Sequence, residues 1–486
     1  MEKPLINLAP QEVWEQFAAL NAVPRPSKKE ERVIAFMVDF GKALGLETHT
    51  DAVGNVVIRK PATKGMENRK MVTLQSHLDM VHQKNSDTDF IFEHQGIAMH
   101  VDGDWVKAKG TTLGADNGLG VAAIMALLKS TEIPHPAIEG LFTIDEETGM
   151  SGAFGLQPNF LKGQLLLNLD TEEDDEIDVG CAGGMDVTAV GHYQEMTPDA
   201  DSHCFQISVK GLRGGHSGMD IHKGLGNANK IMNRLLYHLD DALSIHIGLI
   251  HGGGLRNAIP RESVAIVSIG KADRKAFQEV FQEKADQIKE ELRIPEPQLE
   301  IKLDKAEKPS GTMPLAVQRS LLKALYGAHN GVYAMSSAMP GLVETSNNVA
   351  KVMVEGGHVA INCLTRSSVA TAKTDLAHAL KAVFELAGLS VTFSGSYPGW
   401  QPNPDSEILA IAKKTYQDMF QEEPRVVACH AGLECGILSH HYPEMDMVSF
   451  GPTILGAHSP EERASISSVQ KFWTFLQAIL KQTPMA

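Results

Sequence analysis

Apolar positions in this chain follow helical spacing first and strand spacing soon after. Val13, Phe17 and Leu20 share one face of a helix predicted over 10–20, with Pro10 near its start; Val33, Met37, Phe40 and Leu44 share one face of a second that stops at Gly45. Ser27 and Glu30 stand where a capping box would open that second helix. Runs at 47–50 and 55–59 predict a hairpin, and the apolar run from Val72 to Leu78 predicts a buried strand. An apolar helix over 118–129 and strands over 137–144 and 164–170 continue an alternating α/β pattern.

After Gly184 the rhythm changes. Strand 203–209, helix 224–241, strands 243–249 and 263–269, helix 274–291 and strand 297–303 give the order βαββαβ of a ferredoxin-like unit. A second, degenerate round follows, with helix 312–327, strands 342–352 and 357–364, helix 370–388 and strand 390–396, although no residues repeat between the rounds. From Pro402 the α/β pattern returns, with helices over 406–419 and 465–481 and strands over 425–429 and 447–450. The expected organisation is a mixed-sheet α/β domain made from residues 1–185 and 397–486, with an α+β domain of ferredoxin-like units, 186–396, inserted between them.

Composition narrows the function classes. The chain has 486 residues, 43% hydrophobic and 21% charged, as ordinary globular proteins have. A formal net charge of -16 argues against nonspecific nucleic-acid binding, which needs Lys and Arg to displace phosphate counterions. No N-terminal h-region is present and no apolar run approaches ~18 residues, so a cytoplasmic protein without membrane contact is expected. Five cysteines without C-x-x-C spacing predict neither a disulfide framework nor a thiolate zinc site.

Chemistry gathers where elements end. His77 and Asp79 close the strand run and, by strand alternation, face the same way. Asp116 lies in the glycine turn Gly114 to Gly118; Asp145, Glu146 and Glu147 follow the run Ile138 to Ile144; Asp170 follows Leu165 to Leu169; and His458 lies in a glycine turn near the other terminus. Two histidines and three acids so placed suit two divalent ions sharing one carboxylate, which assigns His77, Asp116, Glu147, Asp170 and His458 as ligands. Asp79 is then expected to orient the His77 imidazole, and Glu146 to act as general base on the attacking water. If His458 shares a metal with residues before 171, both terminal segments build one catalytic domain and the middle segment is a lid. The acids from Glu172 to Asp175 read as a solvated loop, with attraction of a substrate ammonium as the alternative. The stretch from His430 to Glu434 reads as a helix start whose N–H groups could hold a carboxylate.

The stretches QSHLDMV (75–81), GTTLGADNG (110–118), GCAGG (180–184), KGLRGGHSG (210–218), LRNAIPRE (255–262), GLVETSNNV (341–349), YPGWQP (397–402), HAGLECG (430–436), YPEMDMVSFGPT (442–453) and GAHSPEE (456–462) run nearly the length of the chain. In order and form they resemble those of the co-catalytic di-zinc exopeptidases, and within them the aminoacyl-histidine dipeptidases, also called peptidase D or bacterial carnosinases. The resemblance implies a dipeptidase of unblocked, carnosine-like Xaa-His substrates, acting through a metal-bridged hydroxide. An N-acyl amino acid deacylase or desuccinylase on the same scaffold is the alternative, and a non-catalytic binding protein keeping the fold the remote one. Zinc is the expected metal, with cobalt or manganese as alternatives, and a homodimer is left open. The resemblance pairs His77 with Asp170 and His458 with Glu147, and makes Asp116 the bridge with a cis peptide to Asn117. It gives His216 to the scissile carbonyl, and Asn257 and Arg366 to the substrate's C-terminal carboxylate.

Overall fold

The computed structural model describes residues 7–486. The chain divides into two compact units, one running through Gly180 with Pro402–Ala428 and Leu433–Ala486, the other comprising Cys181–Gln401 with Cys429–Gly432.

The first unit is built on an eight-stranded mixed sheet. Val72–His77 lies between Ile138–Thr143 and Leu165–Asn168, parallel to both, and Asp446–Ser449 continues the parallel set. Every residue of the first three of these strands is buried, as a parallel strand covered on both faces requires. The hairpin Glu47–Thr50 and Val56–Lys60 adds antiparallel strands at one edge; Glu176–Cys181 and Arg425–Cys429 complete the other. Because the four central strands run the same way, their C-terminal ends open on one side, where ligands of open α/β sheets bind. In register His77 stands beside Thr143, and Gln75 beside both Leu141 and Asn168, so the segments leaving these strands emerge together.

Two local expectations change. The second helix is Glu31–Ala43, and Ser27 does not cap it. Ser27 Oγ donates instead to Asp79 Oδ2 at 2.8 Å and to the Met80 carbonyl at 3.1 Å, while Glu30 accepts from Lys28 N. A buried carboxylate just past the end of the strand Val72–His77 competed for the serine and won. A four-stranded sheet of Met99–Asp102, Trp105–Ala108, Arg463–Ser465 and Ile454–Leu455 has no counterpart in the sequence pattern, since strands of two to four residues carry no period.

The second unit has a nine-stranded antiparallel sheet. Its first round, His203–Lys210, His246–Gly253, Ser263–Ile269 and Glu300–Lys305, has the spatial order fourth, first, third, second of a ferredoxin-like unit. The other round uses Val343–Glu355, His358–Ser367 and Ser390–Tyr397, but its opening strand is Gly183–His192. The first round is therefore inserted inside the other, after its opening strand, and this separation makes the outer round read as degenerate along the chain. The second strand of each round pairs antiparallel with that of the other, Ile250 opposite Val354 and Gly253 opposite Lys351, joining them into one sheet. Helices Ala228–Leu243, Arg274–Glu291, Leu315–Gly327 and Ala370–Leu386 carry one core with the sheet, through residues such as Leu235, Leu239, Phe277, Leu321 and Phe384. Strand Gly183–His192 spans the expected join at 185/186 and lies wholly within this unit.

Candidate metal centre

His77 ends its strand with both ring nitrogens committed. Nδ1 is 3.1 Å from the Asp79 carbonyl and 3.5 Å from Asp79 Oδ1. Donation on that side fixes the ring so that Nε2 faces Asp116 Oδ1 at 3.1 Å and Asp170 Oδ1 at 3.5 Å. On the other side of Asp116, Oδ2 lies 3.1 Å from His458 Nε2, which is also 3.0 Å from Glu147 Oε2. The two groups His77, Asp116, Asp170 and Asp116, Glu147, His458 thus share Asp116, one oxygen to each histidine, and Glu146 joins His77 and Glu147 in a third overlapping group.

The turns carrying these acids are held by other buried acids. Asp79 accepts the backbone N–H of Glu146 at 3.0 Å and of Glu147 at 3.4 Å, so it aims the acid turn as well as the imidazole. Glu462, four residues past His458, accepts the N–H groups of Leu113, Gly114, Ala115 and Asp116 at 2.7, 2.9, 2.7 and 3.2 Å. One carboxylate therefore ties the Asp116 turn to the His458 loop. Asn117 Nδ2 donates to the Leu169 carbonyl at 2.7 Å and to Asp170, linking the third acid segment, and the Asp116–Asn117 peptide is cis. Arg25, 1% exposed, donates to the carbonyls of Leu78, Asp79 and Gly114 and knits the two turns beneath.

Charge in this centre is strongly acidic. Burial pushes Glu146 well above the usual carboxylate range, and pushes Glu172 and Glu434 up to about 8 and Glu462 up to about 7. Against its own burial, Asp116 is held well below that range by the His458 and His77 N–H groups. His458 rises to about 11 through its hydrogen bonds to Asp116 and Glu147. Acids that hold protons and histidines that cannot release them mark a negative excess that divalent cations would neutralise. The donor set fits them: two imidazoles, three acids with one shared, and Glu147 Oε1 buried without a hydrogen-bond partner.

The family model described as Peptidase family M20/M25/M40 matches residues 73–482. The chain belongs to this peptidase family. It is therefore a hydrolase of the metal-dependent peptidase class, with a dinuclear centre. It is 43% identical over 480 residues, 99% of each chain, to the cytosol non-specific dipeptidase of Escherichia coli strain K12. The crystal structure of aminoacylhistidine dipeptidase from Vibrio alginolyticus superposes with a TM-score of 0.95 at 43% identity, covering 100% of this chain and 99% of that one. Aminopeptidase PepT from Bacillus cereus, 17% identical with a TM-score of 0.58 over 98% of this chain and 99% of that one, shares the fold.

Within the second unit of this M20/M25/M40 peptidase, His216 and Arg366 come together. Arg366, 4% exposed, donates from Nη1 to Tyr397 Oη at 2.9 Å and from Nε to Ser217 Oγ at 3.3 Å, and its Nη2 is 3.5 Å from His216 Nε2. Among the described residues no carboxylate lies within ion-pair distance of it. Gly218 lets this loop approach, since a Cβ there would fall 1.9 Å from the His430 carbonyl. His430, pushed down to about 3 by burial and by Arg366, bonds Ser346 Oγ at 2.8 Å. Asn257 joins the cluster through its backbone, its carbonyl accepting from Ser217 N at 2.8 Å, while its side chain is exposed.

The stretch read as a solvated loop and the one read as a helix start both carry structural contacts. Asp174 pairs with Lys471 at 2.8 Å and Asp175 with Arg425 at 2.7 Å, while Glu172 is half-buried. Glu434 opens the helix Glu434–His441, and its carboxylate accepts from Gln75 Nε2 and Thr143 Oγ1, each at 2.6 Å. For Glu462 the sequence offers only its place after His458, and nothing there points to four backbone partners.

Proposed function

We propose that this chain hydrolyses unblocked dipeptides, Xaa-His substrates among them, in the cytoplasm. The observation that carries the reading is the pair of His-carboxylate groups sharing Asp116 beside Glu146, in a chain alike over its whole length to a dipeptidase. His77 with Asp170 would hold one ion and His458 with Glu147 the other, with Asp116 serving both; zinc is the ion we favour for this set. When bound, two divalent cations supply Lewis acidity that acidifies water and polarises a carbonyl. Glu146, aimed by Asp79 through its own N–H, takes the proton of the attacking water on a carboxylate oxygen and returns it to the leaving amine nitrogen. In this reading the first unit is the catalytic domain and the second a lid domain. His216 Nε2–H faces the carbonyl oxygen, and Asn257 and Arg366 receive the terminal carboxylate, for which a guanidinium fork suits two parallel bonds. The buried setting of Arg366, with no carboxylate at ion-pair distance among the described residues, supports this, since such a charge needs an anion.

The test compares hydrolysis of a free Xaa-His dipeptide with its N-acetylated form, each with and without chelator. Turnover of the free form alone, lost with chelator and restored by zinc, is the expected result. Preference for the acetylated form would make the chain a deacylase or desuccinylase, and no turnover of either would remove the enzymatic reading.

A further inference from the structure

The donors around Arg366 have more hydrogen-bonding capacity than the protein uses. His216 Nδ1 accepts the backbone N–H groups of Gly218 and Met219 at 3.3 and 3.1 Å, which places the imidazole proton on Nε2. Nε2–H then faces Arg366 Nη2, another donor, at 3.5 Å, and two donors do not bond each other. An acceptor oxygen belongs between or in front of them. Tyr397 adds a third donor. Its Oη already accepts from Arg366 Nη1, so its hydroxyl proton remains to be given elsewhere.

The tyrosine is held in place from both ends of its residue. Gly184 leaves room for the ring, since a Cβ there would lie 2.5 Å from it, and Lys373 Nζ donates to the Tyr397 carbonyl. Ser217 fixes the guanidinium at Nε. The acid Asp186 is engaged by Arg256 at 3.2 Å and does not occupy Arg366. The Tyr397 hydroxyl and the Arg366 guanidinium, a buried cation with no acid at ion-pair distance among the described residues, match a carboxylate, whose two oxygens offer about four lone-pair sites, and His216 Nε2–H is left for the carbonyl oxygen.

We propose that Tyr397 is a specificity-determining residue that donates its hydroxyl proton to the substrate's terminal carboxylate while bracing Arg366. This deepens, and rests on, the dipeptidase reading above. A phenol O–H to a carboxylate is a charge-assisted bond, and a C-terminal amide, whose carbonyl accepts only a neutral bond, loses that charge assistance.

Tyr397→Phe keeps the ring and its packing and removes only the hydroxyl. Steady-state kinetics would use a free dipeptide and its C-terminal amide, on wild type, Tyr397→Phe, Arg366→Ala and the double variant. For Tyr397→Phe the expected result is KM for the free acid raised about 10-fold, kcat within twofold, and the amide unchanged. In the Arg366→Ala background the same change should have less than a threefold effect, since the two act on one group. Equal loss on acid and amide, or a fall in kcat alone, would make Tyr397 a packing residue and overturn the proposal. Preference for the free acid kept in Tyr397→Phe but lost in Arg366→Ala would remove Tyr397 and leave the Arg366 assignment standing. Preference kept in both would remove the carboxylate assignment of the whole cluster, and absence of wild-type dipeptide turnover would remove the functional reading beneath it.

Discussion

The metal centre of the first unit and the donor cluster of the second are both buried and both unbalanced in charge, with opposite sign. The first manages its acids by giving them backbone N–H groups: two to Asp79, four to Glu462. What remains, Asp116, Glu147 and Asp170, faces two histidines and calls for cations. The second manages Arg366 with neutral partners, a serine, a tyrosine and an imidazole, and withholds any acid. Neutral partners hold a guanidinium in place without neutralising it. In the proposed reading one region takes positive ions and the other a negative group.

The comparison is broken most sharply by activity without loss of metal. Glu146→Gln should lower kcat about 10³-fold while two metals remain by elemental analysis, whereas Asp116→Ala should lose metal and activity together. Loss of metal from Glu146→Gln in proportion to activity would make Glu146 a ligand. Next, Arg366→Met should lower kcat/KM for a free dipeptide about 10²-fold, yet leave thermal stability without substrate unchanged or higher, because a buried unpaired charge is removed. A clear fall in Tm would show that the protein itself supplies the missing anion.

Glu462→Gln presents an NH2 group to N–H donors that have lost half their acceptor. A stability loss of about 2 kcal/mol is expected, with weaker metal retention measured by chelator competition. Unchanged metal affinity would separate the turn from the ligands it carries. Asp178, pushed up to about 7 by burial, tests the same physics through pH. The folded state binds its proton more tightly than the unfolded chain, so this group makes stability fall as pH rises from about 4 to about 7. Asp178→Asn should flatten that slope and raise Tm at pH 8 relative to wild type. The smallest effect belongs to Asp175→Asn, which breaks an exposed pair with Arg425 and should cost under about 1 kcal/mol by denaturant titration, less at high salt.

The sequence by itself determined the α/β and βαββαβ rhythms and picked out the five residues that the structure gathers into two His–carboxylate groups sharing Asp116. Long apolar runs keep a period, and acids at their ends need polar partners or cations wherever they are buried. Asp79 and Glu146 were legible for the same reason, each standing beside a residue of the metal group. The resemblance already made Asp116 the shared carboxylate; only the tertiary structure shows how its two oxygens are allotted, one to each histidine, by turns that Glu462 and Asn117 fix from distant positions. It also decided that Gly183–His192 opens the outer ferredoxin-like round, since strand pairing across more than a hundred residues leaves no local mark. Ser27 shows the limit most plainly. Its local pattern fits a helix cap, and the buried carboxylate of Asp79, 52 residues away, offered it a stronger charge-assisted bond. Local periodicity names elements and the residues at their ends; the partners of those residues depend on what the packed chain brings within hydrogen-bond reach.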